Sequence, residues 1–212
     1  INQIIRLEYS ISGKRLKETG KSVYCDSNGN RIEFARDIED TVEINFQGEN
    51  NLIKIGKGVS VGRLSIYCGN SSICSIGEGT IIEGATIYAT NGEVIIGKDC
   101  LFSHQVVIRN HDSHHIFDRN TGRRINGSGN INIGNHVWMG YGATVLGNAA
   151  IGDNSIVGTM AVTSSSFPRE VVVAGNPARI IRKNVCWSKD NTNFYDRKSL
   201  DACLAQEAYQ YF

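Results

Sequence analysis

The sequence predicts an all-β solenoid, with short strands wound into stacked coils. Three observations predict it. An aliphatic or aromatic residue returns every six positions, in Ile55, Val61, Tyr67 and Ile73, in Ile76, Ile82, Tyr88 and Val94, and in Ile96, Phe102 and Ile108. Glycine follows many of these, as in Ile55-Gly56, Val61-Gly62, Ile76-Gly77 and Ile96-Gly97. The beat stops once, for about twenty residues, and resumes at Ile133, Met139, Val145, Ile151 and Val157.

A period of six is neither the helical period nor the alternation of a half-buried strand. It describes a short strand plus a turn, three of which close a triangular coil of 18 residues. The opening residue of each unit points into the prism. Four places on, a small or β-branched residue shares that interior: Val59, Ser65, Thr80, Thr86, Val106, Val137, Ala143, Ala149 and Ser155. Corner pairs such as Gly69-Asn70, Asn91-Gly92, Gly147-Asn148 and Asp153-Asn154 tolerate the turned backbone. Each coil bonds only to the coils above and below, so several must stack. A β-sandwich would instead space its turns by about 8–12 residues.

The elements follow in order. Residues 1–40 lack the repeat and are expected to cap it, because an open stack of strands needs its end covered. Within them, Val23-Tyr24-Cys25 and Arg31-Ile32-Glu33-Phe34 flank Ser27-Asn28-Gly29-Asn30 and read as a β-hairpin. Residues 41–183 form the solenoid, interrupted by a loop at 109–131. Residues 184–212 form a helical extension, with Leu200, Cys203, Leu204, Ala208 and Tyr211 as an apolar stripe against the prism or a neighbouring subunit. Its polar face lacks the basic cluster a membrane surface would call for.

Composition narrows the function. Twenty-two Lys and Arg against 21 Asp and Glu leave a net charge of +1, so no global field argues for nucleic acid or an anionic membrane. No apolar run approaches membrane-spanning length, and no charged-then-apolar leader opens the sequence. The six cysteines (Cys25, Cys68, Cys74, Cys100, Cys186, Cys203) show no CxxC spacing and are expected as small buried thiols in the reducing cytoplasm.

Titratable groups crowd into the interruption. His111, His114 and His115, three of the five histidines, open it, and Trp138 stands just past its end. A regular scaffold broken once by such a loop is where chemistry is usually placed. His104 and His136 are expected as solvent-facing strand or corner residues.

At this point the residues resemble a family. The Ile-Gly repeats, a loop with histidine, Ile133-Gly134-Asn135-His136-Val137-Trp138-Met139-Gly140 and Val171 through Lys183 (VVVAGNPARIIRK) resemble the left-handed parallel β-helix, hexapeptide-repeat acyltransferases over roughly residues 40–184. The pattern from His114 through Asp118, Thr121-Gly122 and Arg124-Ile125-Asn126 resembles the branch that O-acetylates capsular polysaccharide, polysialic acid or O-antigen. The resemblance implies a cytoplasmic homotrimer that moves acetyl from acetyl-CoA to a sugar hydroxyl, with no metal. His114, twenty-four residues before Trp138, matches the family's catalytic base; His111 and His115 are the nearest alternatives. Asp112 or a backbone carbonyl would orient the imidazole. Trp138 would flank the thiol end of CoA. Gly140-Tyr141-Gly142, Gly158-Thr159 and Ser164-Ser165 would line the pantetheine arm, and Arg179 and Lys183 would meet phosphate. Tyr141 stands where many relatives have serine, and Ser164-Ser165 replaces the usual Thr-Lys. Arg123 and Arg124, with Arg119, make the loop basic and suit an anionic glycan. Two other functions fit the same scaffold: an N-acetyltransferase acting on an amino or nucleotide sugar, and a metal enzyme like the γ-class carbonic anhydrases.

Overall fold

The computed structural model describes residues 17–20, 23–34, 42–190 and 197–205. Three sheets of nine, six and seven strands form the walls of a triangular prism. One coil runs from Leu52–Ile55 in the nine-stranded sheet through Ser60–Val61 in the seven-stranded sheet to Leu64–Cys68 in the six-stranded sheet. The next coil opens at Ile73–Ile76, paired in parallel with Leu52–Ile55. Stacking in register brings Ile55, Ile76, Ile96, Ile133 and Ile151 into one inward column, each no more than 2% exposed. Burying each such side chain stabilises the prism by about 1.5–3 kcal/mol.

Coil length differs from the expected 18 residues at one end. Asn30 and Asn51 occupy equivalent places twenty-one residues apart, whereas Asn135 and Asp153 are eighteen apart. Extra residues enter the six-stranded sheet, where Leu64–Cys68 and Ala85–Ala89 are five-residue strands alternating in and out. Leu64, Ile66 and Cys68 point inward there. Tyr67, Tyr88 and Ile73, expected as interior, are therefore only half-buried, and Ser65 and Thr86 face out beside the two tyrosines. Tyr67 stacks on Tyr88 with ring centroids 5.1 Å apart, and the Arg109 guanidinium lies over Tyr88 at 4.6 Å.

Polar ladders hold the corners. Asn51 Nδ2 donates to Asn30 Oδ1 and to the Gly69 carbonyl, while its own Oδ1 accepts from the Ser72 N–H and hydroxyl. These buried amides satisfy turning backbone that the ladder bonds miss. Gly97 stands where a Cβ would come within 2.5 Å of the Gly134 carbonyl carbon, so the close approach of two coils requires glycine.

Both ends of the stack are finished by antiparallel pairing. The expected hairpin forms, with Val23–Cys25 antiparallel to Arg31–Phe34. Arg31–Phe34 also pairs in parallel with Leu52–Ile55, so the stack reaches back into the region expected to be a separate cap. At the other end, Val171–Gly175 turns through a cis Asn176–Pro177 bond into the antiparallel strand Ala178–Lys183.

Beyond that hairpin the chain descends the corner between the nine- and seven-stranded sheets. Val185 N–H donates to Glu170 O, Trp187 lies against His136, and Lys189 Nζ donates to Gly79 O. The helix Arg197–Ala205 then carries Cys203 back to Cys186. These two cysteines form a disulfide, against the expectation of six free thiols. The returning helix sets their Cα atoms 5.8 Å apart, within bridging range, although seventeen residues separate them in sequence. Cys68, Cys74 and Cys100 are buried free thiols as expected, and Cys25 is a free, half-buried one. Leu200 and Cys203 lie on the helix's sheltered side, whereas Leu204 is exposed; Ala208 and Tyr211 lie outside the described residues. Among the described residues no helix is long and apolar enough to cross a membrane.

Candidate active site

The loop begins and ends where the six-stranded sheet hands over to the nine-stranded one. Val106–Arg109 precedes it and Ile131–Ile133 follows. Its base is closed by the Gly129 N–H donating to the Asn110 carbonyl at 2.8 Å. Asn110 itself is fully buried and exchanges side-chain bonds with the Thr90 backbone. The loop is folded within itself. Asp118 N–H donates to Arg123 O, Ile125 N–H donates to Ile116 O, and Phe117 pairs with Arg124. Asp118 accepts from Asn120 and Thr121 N–H and from the Thr121 hydroxyl, and the Thr121 bonds hold its carboxyl below the usual range.

Asn126 ties this hairpin to the histidines. Its Nδ2 donates to Asp112 Oδ2 (3.1 Å) and to the His114 carbonyl (2.7 Å). Its Oδ1 accepts from the Ile116 N–H (2.7 Å) and from Arg124 Nε (3.3 Å). Sequence reading gave Asn126 no role; its signal was the Arg-Ile-Asn end of the loop motif. Asp112, one of the two groups expected to orient His114, is held by Asn126 instead. His114 is exposed, and neither ring nitrogen meets a partner among the described residues. His115 packs edge-on against Phe117. Among the described residues no three His, Cys, Asp or Glu side chains converge as metal ligands within one chain.

Trp138 stands on the outer face of the seven-stranded sheet, 39% exposed, between Leu101 and Ile156. In a triangular prism that wall lies opposite the corner from which the loop leaves. No hydrogen bond or ring contact joins Trp138 to the loop among the described residues.

Other expected site residues divide between two edges. Gly140-Tyr141-Gly142 and Gly158-Thr159 turn the edge between the seven- and six-stranded sheets. The N–H groups of Gly140, Gly142 and Gly158 are taken by coil-to-coil bonds to Val157 O, His104 O and Val173 O. The Tyr141 and Thr159 N–H groups have no acceptor among the described residues, so both are free to donate outward from this edge. The glycines serve packing: a Cβ on Gly140 would approach Thr159 N to 2.6 Å, and Gly142 is left-handed. Tyr141 also closes one end of a groove of about 760 Å³ that runs past His104 and Gln105 to Tyr88 and Tyr67.

Arg179 faces Ala174 across the terminal hairpin, and Ala174 packs over Gly158, which aligns Arg179 with this edge. Lys183, opposite Val171, lies at the far end of its strand, about 13 Å away. Ser164 and Ser165 are exposed at the other edge, where the loop departs, as the six-stranded sheet gives way to Ser166–Phe167. Arg123 is exposed on the loop, and Arg124 spends its Nε on Asn126.

His136 differs from expectation. His104 is exposed, but His136 is only 6% exposed because the descending tail covers its corner. Trp187 stacks on it at 3.9 Å, His136 Nε2 donates to Trp187 O, and Trp187 Nε1 donates to His136 O. Burial lowers its pKa, disfavouring the charged imidazolium. Trp187 was missed in the sequence because it follows the last repeat and fits no periodic pattern.

Known proteins are similar to this chain in sequence and in fold. The chain is 34% identical over 180 residues to a polysialic acid O-acetyltransferase of Neisseria meningitidis, covering 82% of this chain and 83% of that one. Its fold is similar to that of the polySia-specific acetyltransferase NeuO, with TM-score 0.78 and 28% identity over 85% of this chain and 77% of that one. The polysialic acid O-acetyltransferase OatWY matches with TM-score 0.69 and 27% identity over 84% and 95% of the two chains. No protein-family model matches. The sequence similarity runs over most of both chains and the folds agree: this protein belongs to the left-handed β-helix, hexapeptide-repeat sugar O-acetyltransferases, in the branch that holds the polysialic acid O-acetyltransferases.

Proposed function

We propose that this enzyme transfers an acetyl group from acetyl-CoA to a hydroxyl of an anionic polysaccharide, with polysialic acid, the acceptor in its relatives' names, as the first candidate. Acetyl-CoA supplies an activated thioester. His114 takes the proton of the attacking hydroxyl, and Trp138 shields the reacting atoms from water. The Tyr141 and Thr159 N–H groups grip the pantetheine amides, and Arg179 is placed for a phosphate. Arg119 and Arg123 raise the local concentration of an anionic chain.

The observation that carries this reading is the division of the site. The loop with Ser164-Ser165 and the amide edge with Trp138 belong to different edges of one prism, and they come together when the loop edge of one copy meets the amide edge of another. The loop tip supports such a meeting, because Ile116, Phe117 and Ile125 are each more than half exposed there. A homotrimer, with one site at each of three interfaces, closes this contact on itself. A cytoplasmic location goes with the supply of acetyl-CoA.

The test is acetyl-CoA-dependent thiol release with polysialic acid, a neutral polysaccharide and an amino sugar as acceptors. The account expects turnover with polysialic acid, O-acetyl esters in the product, and an acceptor constant that rises with salt. Equal turnover of the neutral chain at all ionic strengths would remove the anionic acceptor. Amide products would favour N-acetyl transfer.

A further inference from the structure

A solenoid wall gains an enclosing rim where chain outside the repeat lies over it. On the seven-stranded sheet that chain is the tail after Lys183. Between the tail and the outward residues Ile81, Leu101 and Trp138 lies a groove of about 480 Å³. This volume is in the range of small-molecule sites. Its walls are two indoles, Trp138 and Trp187, with ring centroids 5.9 Å apart and tilted by 40°. Glu83, Ser103, Ser188 and Asp190 add carboxylates and hydroxyls around the apolar floor.

We propose that this groove is the acceptor subsite, that it takes one sugar ring of the glycan, and that Trp187 is a positioning residue for it. The proposal rests on the acetyl-transfer reading above. Aromatic faces suit the C–H face of a sugar ring, and carboxylates and hydroxyls suit its O–H groups. The groove is also in the right place: two residues after Trp138 the chain turns the Gly140-Tyr141 edge, where the thioester would arrive.

Trp187 is held for this role from three sides. His136 clamps it by the stacked ring and two reciprocal hydrogen bonds. The residue before it, Cys186, lies against Cys203 of the returning helix with Cα atoms 5.8 Å apart, and Lys189 anchors the segment after it to Gly79 O (3.0 Å) and to Asp99 (3.8 Å). A tail that merely capped the stack would not need its tryptophan pinned beside the one tryptophan of the repeat.

The chain has two tryptophans, and both line this groove. Intrinsic fluorescence is therefore a direct reporter of its occupancy. Titration of the wild-type protein with short oligomers of sialic acid is expected to give a saturable fluorescence change that persists in saturating CoA. In thiol-release kinetics Trp187→Ala is expected to raise the acceptor KM about tenfold, with CoA affinity changed less than about twofold. Trp187→Phe, which keeps the ring and loses the indole N–H, is expected to recover most of that affinity. Melting temperatures of both variants separate a lost contact from a lost fold. The proposal is overturned if the oligomers leave both indoles unperturbed, if CoA displaces them, or if a folded Trp187→Ala keeps its acceptor KM. Saturable binding without acetyl transfer would leave the groove assigned and would instead remove the acetyl-transfer reading.

Discussion

Asn126→Ala offers a test of how the proposed catalytic loop is held. The side chain makes four hydrogen bonds, to Asp112, His114 O, Ile116 N and Arg124 Nε, and the first three cross from one arm of the loop to the other. A net hydrogen bond contributes about 0.5–1.5 kcal/mol, and half-exposed ones lie at the low end because water replaces them. Four together give about 2 kcal/mol of loop order, roughly a thirtyfold shift between ordered and disordered loop. Asn126→Ala should lower turnover by about ten- to thirtyfold, with CoA affinity unchanged. Its melting temperature should stay within about 2 °C of wild type, because the coils that set global stability do not include the loop. Asn126→Asp should fare no better, since it sets a carboxylate against Asp112 and the His114 carbonyl. Thiol release, CoA titration and calorimetry on the same preparations decide it. An Asn126→Ala enzyme with more than half of wild-type turnover would refute the reasoning, and a large drop in melting temperature would show that the loop is part of the folding core.

Four further outcomes are expected. Gly97→Ala forces a Cβ to within 2.5 Å of the Gly134 backbone and should cost about 2–4 kcal/mol, read as a melting temperature lower by about 5–10 °C. Burial raises the Cys68 and Cys100 thiols to about 11 and the Cys74 thiol well above its usual value, so alkylation of the native, unreduced protein followed by mass spectrometry should modify Cys25 and spare those three. His136 has its folded pKa lowered, so it contributes stability that is fully present above its unfolded value of 6.5 and lost as pH falls through the folded value; tryptophan emission should report release of Trp187 as pH drops below 6.5, and His136→Phe should abolish that transition. Trp138→Ala should lower turnover and weaken CoA together, since the proposed function has this residue shape the site without taking the proton, and kinetics at varied acetyl-CoA separate the two effects.

The repeat was legible because one physical requirement, an inward side chain at every coil wall, recurs at each of its positions. Ile55, Ile76, Ile96, Ile133 and Ile151 fall where the beat puts them. It misled at Tyr67 and Tyr88, where five-residue strands alternate their side chains and turn the expected interior residue outward. The loop's limits were visible as a broken period. Its internal order was not, because Asn126 acts through bonds to residues up to fourteen positions away. Trp187, the burial of His136 and the disulfide of Cys186 with Cys203 were invisible for a different reason. They depend on where a non-repetitive tail lies against the prism, and no local period encodes that. The division between two edges of the stretches proposed to bind CoA was likewise hidden, since equal six-residue units do not say which wall each occupies until coil lengths are known.

The central claim is that His114 is the proton acceptor of an acetyl transfer completed between two copies of the chain. His114→Ala, assayed for acetyl-CoA-dependent thiol release with polysialic acid beside CoA affinity, melting temperature and mass in solution, tests it most directly. A positioned general base contributes about 10²–10⁴-fold, so turnover should fall by at least a hundredfold while the other three readouts stay at wild-type values. His111→Ala and His115→Ala should each keep most of the activity. A His114→Ala enzyme retaining more than about a tenth of wild-type turnover, well short of that loss, would contradict the account and move the proton to another group.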